Sequence, residues 1–136
     1  MGFDIRKEFI DKKKSEEGVW VDWKDGSGVK IARTNNPKYL QTLAEGLKHF
    51  QVNSRNKEIT DLDNIAMRKK ATAYAILVDW RGFVINGEEV PYSPEKALEF
   101  FERAPDFYMD IVELSVSREL FLEELVGESE KNSLDS

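Results

Sequence analysis

A mainly α fold with a small N-terminal β-hairpin is predicted for this chain of 136 residues. Three observations predict it. Apolar residues recur at helical spacing through most of the chain, Pro follows a capping residue at two helix starts, and one pair of alternating β-branched runs flanks an Asp-Gly turn. A single domain over residues 1–126 is expected, because a chain of this length buries enough surface to fold without cross-links.

The elements follow in order. Phe3 to Glu17 sets Phe3, Ile5, Phe9 and Ile10 among charges and ends near Lys12-Lys13-Lys14, which reads as a short helix or a mobile arm over residues 1–17. VWVDW, KDGSG and VKIAR then form a hairpin. Val19, Val21 and Trp23 share a face that Val29 and Ile31 can meet, while Trp20 and Ala32 look the other way. With apolar side chains on both faces, the hairpin is expected to lie against helices, another subunit or both.

Asn36-Pro37 opens a helix whose stripe is Leu40, Leu43, Leu47 and Phe50. After a polar break, Thr60 and Asp63 make a capping-box variant, and Leu62, Ile65, Ala66, Ala73, Ile76, Leu77 and Trp80 predict a longer helix running to Trp80. Asn86-Gly87, between Phe83-Val84-Ile85 and Val90-Pro91-Tyr92, predicts a miniature hairpin. Ser93-Pro94 caps the next helix. Pro105-Asp106 starts a last long one, with Phe107, Ile111, Leu114, Phe121 and Leu125 inward and Asp110, Glu113, Glu119, Glu123 and Glu124 outward. Residues 127–136 are small and polar and are expected to be a disordered tail.

Chemistry is constrained by what is scarce. With no cysteine and one histidine, thiolate metal sites and disulfides are impossible, and any His-based catalytic group would have to be built on His49 alone. His49, one residue before a core position, reads as a helix-surface side chain. Asp61 with Asp63 and Glu88 with Glu89 lack a metal-binding loop, and the first pair suits a helix N-terminus. Gly26-Ser27-Gly28 precedes a strand and no GK[ST] follows, so it is not a phosphate loop. The chain is therefore expected to be non-enzymatic, with no cofactor and no metal. MGFDIRKEF lacks a continuous apolar core, so no secretory signal is expected, and with no apolar run long enough for a membrane span no membrane partner is expected.

Charge is unevenly placed. Residues 1–80 hold 15 Lys/Arg against 12 Asp/Glu, whereas residues 81–136 hold 5 against 14. Lys12 to Lys14, Lys24, Lys30 and Arg33 lie near Trp20 and Trp23, a composition that can bind single strands, but a net charge of −6 opposes a nucleic-acid role. Opposite fields on one small protein suit head-to-tail self-association, so a homo-oligomer is expected. Trp20, Trp23, Phe83, Ile85 and Tyr92 are the candidate partner-binding residues.

The order of these segments, GVWVDW and GVKIARTNNPKY, the helix ending AILVDWRGF, INGEEVPYSPEKALEFF and the closing FYMDIVELSVSRELFLEELVGESEKNS, resembles the tail assembly chaperones of long-tailed, non-contractile bacteriophages over residues 16–133. The resemblance implies a helical, non-enzymatic protein that binds the tape measure protein, keeps it soluble and helps recruit tail tube protein. It implies action in the bacterial host cytoplasm and absence from the mature virion. It also implies a longer product made by ribosomal frameshifting, for which Lys131-Asn132 after Glu130 is encodable as a slippery A AAA AAC. Two other readings are a structural virion protein, such as a tail completion or connector component, and a nucleic-acid-binding regulator.

Overall fold

A computed structural model describes residues 1–53 and 58–125. It is mainly α with minor antiparallel β structure, as expected: α1 (Lys12–Glu17), β1 (Val19–Asp22), β2 (Gly28–Ile31), α2 (Pro37–Asn53), α3 (Asp61–Ala75), β3 (Leu77–Arg81), β4 (Val84–Ile85), β5 (Glu88–Glu89), α4 (Pro94–Arg103), α5 (Pro105–Ser115) and α6 (Arg118–Phe121).

The first hairpin forms with the expected register, Val19 opposite Ile31 and Val21 opposite Val29. Asp25 (φ 56°) and Gly26 (φ 79°) take the left-handed conformations its turn requires. Three of the four expected helix starts are capped by a side chain, and the one at Pro105 is not. Asn36 Oδ1 accepts from the Tyr39 amide at 2.9 Å, Thr60 and Asp63 bond reciprocally, and Ser93 Oγ accepts from the Lys96 amide at 3.0 Å ahead of Pro94. Asn86 and Gly87, both at positive φ, close the miniature hairpin of β4 and β5.

Two helices end earlier than their periodicity predicts. The helix expected to reach Trp80 stops at Ala75, and Leu77–Arg81 becomes β3, pairing antiparallel with β2 to give a three-stranded sheet in the order β1-β2-β3. β3 carries a bulge. Lys30 faces Asp79 and Ile31 faces Leu77, so Val78 is an extra residue on β3. That insertion lets both Leu77 and Trp80 point into the core although they are three apart, a spacing that imitates a helical stripe. β3 also supplies the third strand that a lone hairpin needs for stability. The expected last long helix divides into α5 and α6 at Val116-Ser117, where Ser115 Oγ donates to the Val112 carbonyl at 2.6 Å and Val116 leaves helical geometry. The bend returns Phe121 to full burial.

The core lies between the inner face of the sheet and the helices, with Val29, Ile31, Leu77, Phe101, Ile111 and Phe121 fully buried. Trp80 is its aromatic centre: Phe83 and Phe100 stack on it at 4.9 and 5.3 Å, Tyr92 meets it edge-on at 5.0 Å, and its indole N–H donates to the Val90 carbonyl at 2.7 Å.

The N-terminal segment is stitched to the other end of the described chain. The Asp11 amide donates to the Phe121 carbonyl at 2.7 Å, the Glu123 amide donates to the Phe9 carbonyl at 2.8 Å, and Arg118 pairs with Glu8 at 2.7 Å. The expected tail at 127–136 lies outside the described residues.

Candidate partner-binding surfaces

The five residues singled out from sequence separate into two groups once folded. Trp20 projects from the outer face of the sheet, 42% exposed, with the Arg81 guanidinium 4.7 Å from its ring. Arg81 reaches it by lying across Gly28, where a Cβ would come within 2.8 Å of Arg81 Nε, and it also meets Asp22 at 3.2 Å. Ile85 is 50% exposed and its neighbour Val84 59% exposed on the two-residue strand β4. These three side chains are free to meet a partner.

The other three serve packing. Trp23 lies edge-on to Phe107 at 6.1 Å against the core, and Phe83 sits half-buried between Trp80 and Phe107. Tyr92 places its hydroxyl 2.6 Å from the Leu77 carbonyl and 3.1 Å from that of Ala73. Burial, with Asp79 and Glu95 nearby, pushes that phenol up to about 12. The Ala73 carbonyl is one of those left unpaired by the end of α3, so Tyr92 holds the helix-to-strand junction together. Lys131 and Asn132 lie outside the described residues.

A further apolar surface lies on the two helices that the sequence predicts from their apolar stripes. The start of α2 and the end of α3 are tied at the body, where Asn36 Nδ2 donates to the carbonyls of Arg33 at 2.8 Å and Ala75 at 3.0 Å. Seventeen residues make α2 about 26 Å long, and the two helices run outward together. Beyond Tyr39 no described residue of α2 is buried, and none of α3 is buried before Ala71. Leu40 and Leu47 are accordingly exposed, and so are Leu62 (77%) and Ile65 (46%). Residue size carried a signal for this. The buried end of α3 is built from Ala71, Thr72, Ala73 and Ala75, which allow close approach, whereas the large aliphatics Leu62 and Ile65 stand exposed at its start.

Between the two helices runs an open groove of about 590 Å³ lined by Gln41, Gly46, His49, Met67, Lys70 and Tyr74, with Gly46 in ordinary contact with Met67 at 3.6 Å. His49 thus lies on the wall of a groove between helices. Among the described residues no group of three or more His, Asp or Glu is placed to hold a metal ion, and no helix is long and apolar enough to cross a membrane.

Folding also redistributes the charge. Glu8 with Arg118, Lys69 with Glu102 at 3.8 Å, and Asp22 with Arg81 each join the basic half of the chain to the acidic half within one molecule. Acid remains on α5, whose exposed face carries Asp106, Asp110 and Glu113 without an ion pair among the described residues.

No curated protein and no solved structure matches the chain. A family described as YdaY prophage protein matches residues 34–132, which takes in α2 through α6 and nearly three quarters of the sequence. The chain is therefore phage-derived and belongs to the YdaY prophage protein family.

Proposed function

We propose that this prophage protein is a non-enzymatic tail assembly chaperone, which binds the tape measure protein, keeps its apolar helices soluble and helps recruit tail tube subunits in the host cytoplasm before leaving the finished particle. Phage origin and the resemblance over residues 16–133 support the reading. The observation that carries it is the mounting of exposed apolar side chains on well-anchored supports. Val84 and Ile85 stand on a hairpin fastened by the stack of Phe83 on Trp80 and by the Val90 amide donating to the Phe83 carbonyl at 2.8 Å, so they cannot fold back into their own core. Glu89 and Glu88 face them across the strand pair and give the apolar tip a charged rim.

Covering the exposed half of one such side chain contributes roughly 1 kcal/mol at about 25 cal/mol per Å². Contacts of that size are weak singly, and a long client is held by many copies.

Co-expression with the tape measure protein of the same prophage tests the proposal. The tape measure protein is expected in the soluble fraction with the wild-type chain and in the pellet when Ile85→Asp and Trp20→Ala are combined. Equal solubility with and without the chain would sink it. Mass spectrometry of mature particles separates the chaperone, which is absent from them, from a structural virion component, which remains. The nucleotides of codons 130–132 and the frame downstream decide whether a longer product is encoded.

A further inference from the structure

We infer that two copies of the protein join edge to edge through β1, so that their three-stranded sheets become one continuous sheet. In the order β1-β2-β3 both outer strands leave backbone groups facing away from β2, because successive residues of an antiparallel strand point their N–H and C=O alternately to one side and the other. Two bonds fix which residues these are on β1. The Trp23 amide donates inward to the Ser27 carbonyl at 2.8 Å, and the Ala32 amide donates to the Ile76 carbonyl on the β3 side, also at 2.8 Å, which leaves Ile31 facing Val19. Val19, Val21 and Trp23 therefore bond toward β2, and Trp20 and Asp22 point their backbone groups outward.

The two edges differ in how those groups are served. On β3 the chain closes its own edge: the Trp80 amide donates to Asp79 Oδ1 at 2.8 Å, and the Leu77 carbonyl accepts from the Tyr92 hydroxyl at 2.6 Å. On β1, no turn, loop or side-chain hydrogen bond among the described residues reaches the backbone of Trp20 or Asp22, and the element that packs along the strand is β2. Burial agrees. On the inner face Val29 and Ile31 of β2, flanked by strands on both sides, are wholly buried, whereas Val19 and Val21 beside them stay half-buried. A row of unpaired N–H and C=O groups is a template for another strand.

The strand's own sequence identifies the occupant as a second copy. An outward residue must face an outward residue, which leaves few ways to set β1 antiparallel to itself. Trp20 against Trp20 sets Asp22 opposite Gly18, whose φ of 93° ends the extended run. Asp22 against Asp22 brings two carboxylates together and sets Trp20 opposite Lys24, in the turn. Trp20 against Asp22, with Val21 of both copies on the two-fold axis, pairs every outward group, keeps like charges apart and places Val19 beside Trp23, a β-branched side chain against an aromatic one. It also puts the Asp22 carboxylate on the face where the Arg81 guanidinium lies 4.7 Å from the Trp20 ring. Because the same patch serves both copies, the contact closes at a dimer rather than growing head to tail. The Trp20 ring and β4 stay outside the backbone pairing, so the dimer is independent of how a client is held.

Sedimentation of the purified full-length chain, with no client present, tests this. The wild type is expected to pass from monomer to dimer as concentration rises, with nothing larger. Asp22→Pro removes an outward amide that takes no part in the β2 ladder and is expected to weaken the dimer about tenfold or more, whereas Asp22→Ala keeps the amide and dimerises. Circular dichroism checks that both fold. A second arm uses the absence of cysteine from the chain. Val21→Cys sets two thiols at the axis with Cα atoms about 4.5 Å apart, within disulfide reach, and is expected to cross-link on air oxidation. Val19→Cys stands about 13 Å from its mate and is expected to stay uncross-linked. A wild type that stays monomeric at high micromolar concentration overturns the inference and leaves the edge to a client strand. So does a folded Asp22→Pro that dimerises as tightly as wild type, or a Val19→Cys that cross-links as readily as Val21→Cys.

Discussion

At the scale of single residues, Tyr92 shows how a polar atom can hold a junction. Its hydroxyl serves carbonyls on both sides of the α3-to-β3 turn, and its ring lies edge-on to Trp80. Tyr92→Phe keeps the ring and removes the hydroxyl, which should cost about 1–2 kcal/mol and lower the urea midpoint without changing the slope. An unchanged midpoint would mean that water serves those carbonyls equally well. The same hydroxyl gives stability an alkaline limit. Its ordinary value near 10 is raised to about 12 in the fold, so the folded state keeps the proton that the unfolded chain releases between those values. The contribution is whole below pH 10 and is lost as pH climbs through 12, and burial of Tyr39 and Tyr74 shifts them in the same direction. Thermal melts of wild type and Tyr92→Phe should therefore converge above pH 10. In the sequence Tyr92 looked like a contact for partners, because an aromatic beside a proline in a turn region gives no sign of which carbonyls it will find.

At the scale of elements, equal leucines have unequal worth. Leu77, fully buried on β3, and Leu62, at the exposed start of α3, both belong to the one helical stripe that the sequence predicts. Leu77→Ala should cost about 2–5 kcal/mol through lost transfer energy and the cavity left behind, whereas Leu62→Ala should lie within about 0.5 kcal/mol of wild type. Comparable losses from the two would refute their unequal burial. The helix starts were legible because a cap is local: Asn36, Thr60 and Ser93 bond amides three residues away. The helix ends at Ala75 and Ser115 were not, since both depend on distant pairing, one with β2 and the other with the burial of Phe121.

At the scale of the whole molecule, residues 1–17, expected as a short helix or mobile arm, join the body through backbone bonds flanking the isolated pairing of Ile10 with Leu122. Deleting residues 1–11 removes those bonds and uncovers one side of α6. The expected cost is about 2 kcal/mol, which for a chain of this size lowers Tm by roughly 7 °C. A melt at the wild-type temperature would show the segment contributes nothing. The charge asymmetry changes meaning at this scale as well. Glu8 with Arg118 and Lys69 with Glu102 neutralise part of it inside one copy, and among the described residues Asp106, Asp110 and Glu113 of α5 stay without an ion pair.

The sequence by itself determined the fold class, both hairpins, the capped helix starts, and the prominence of Trp20 and Ile85, because alternation, turn chemistry and capping act over four residues or fewer. The third strand, the division of the last helix, the inward turn of Tyr92 and the bare flank of α2 and α3 were decided only by tertiary structure. Each rests on which distant surface arrives to cover a given side chain. An apolar stripe says that a residue would gain by burial, and the presence of a neighbour decides whether it is buried.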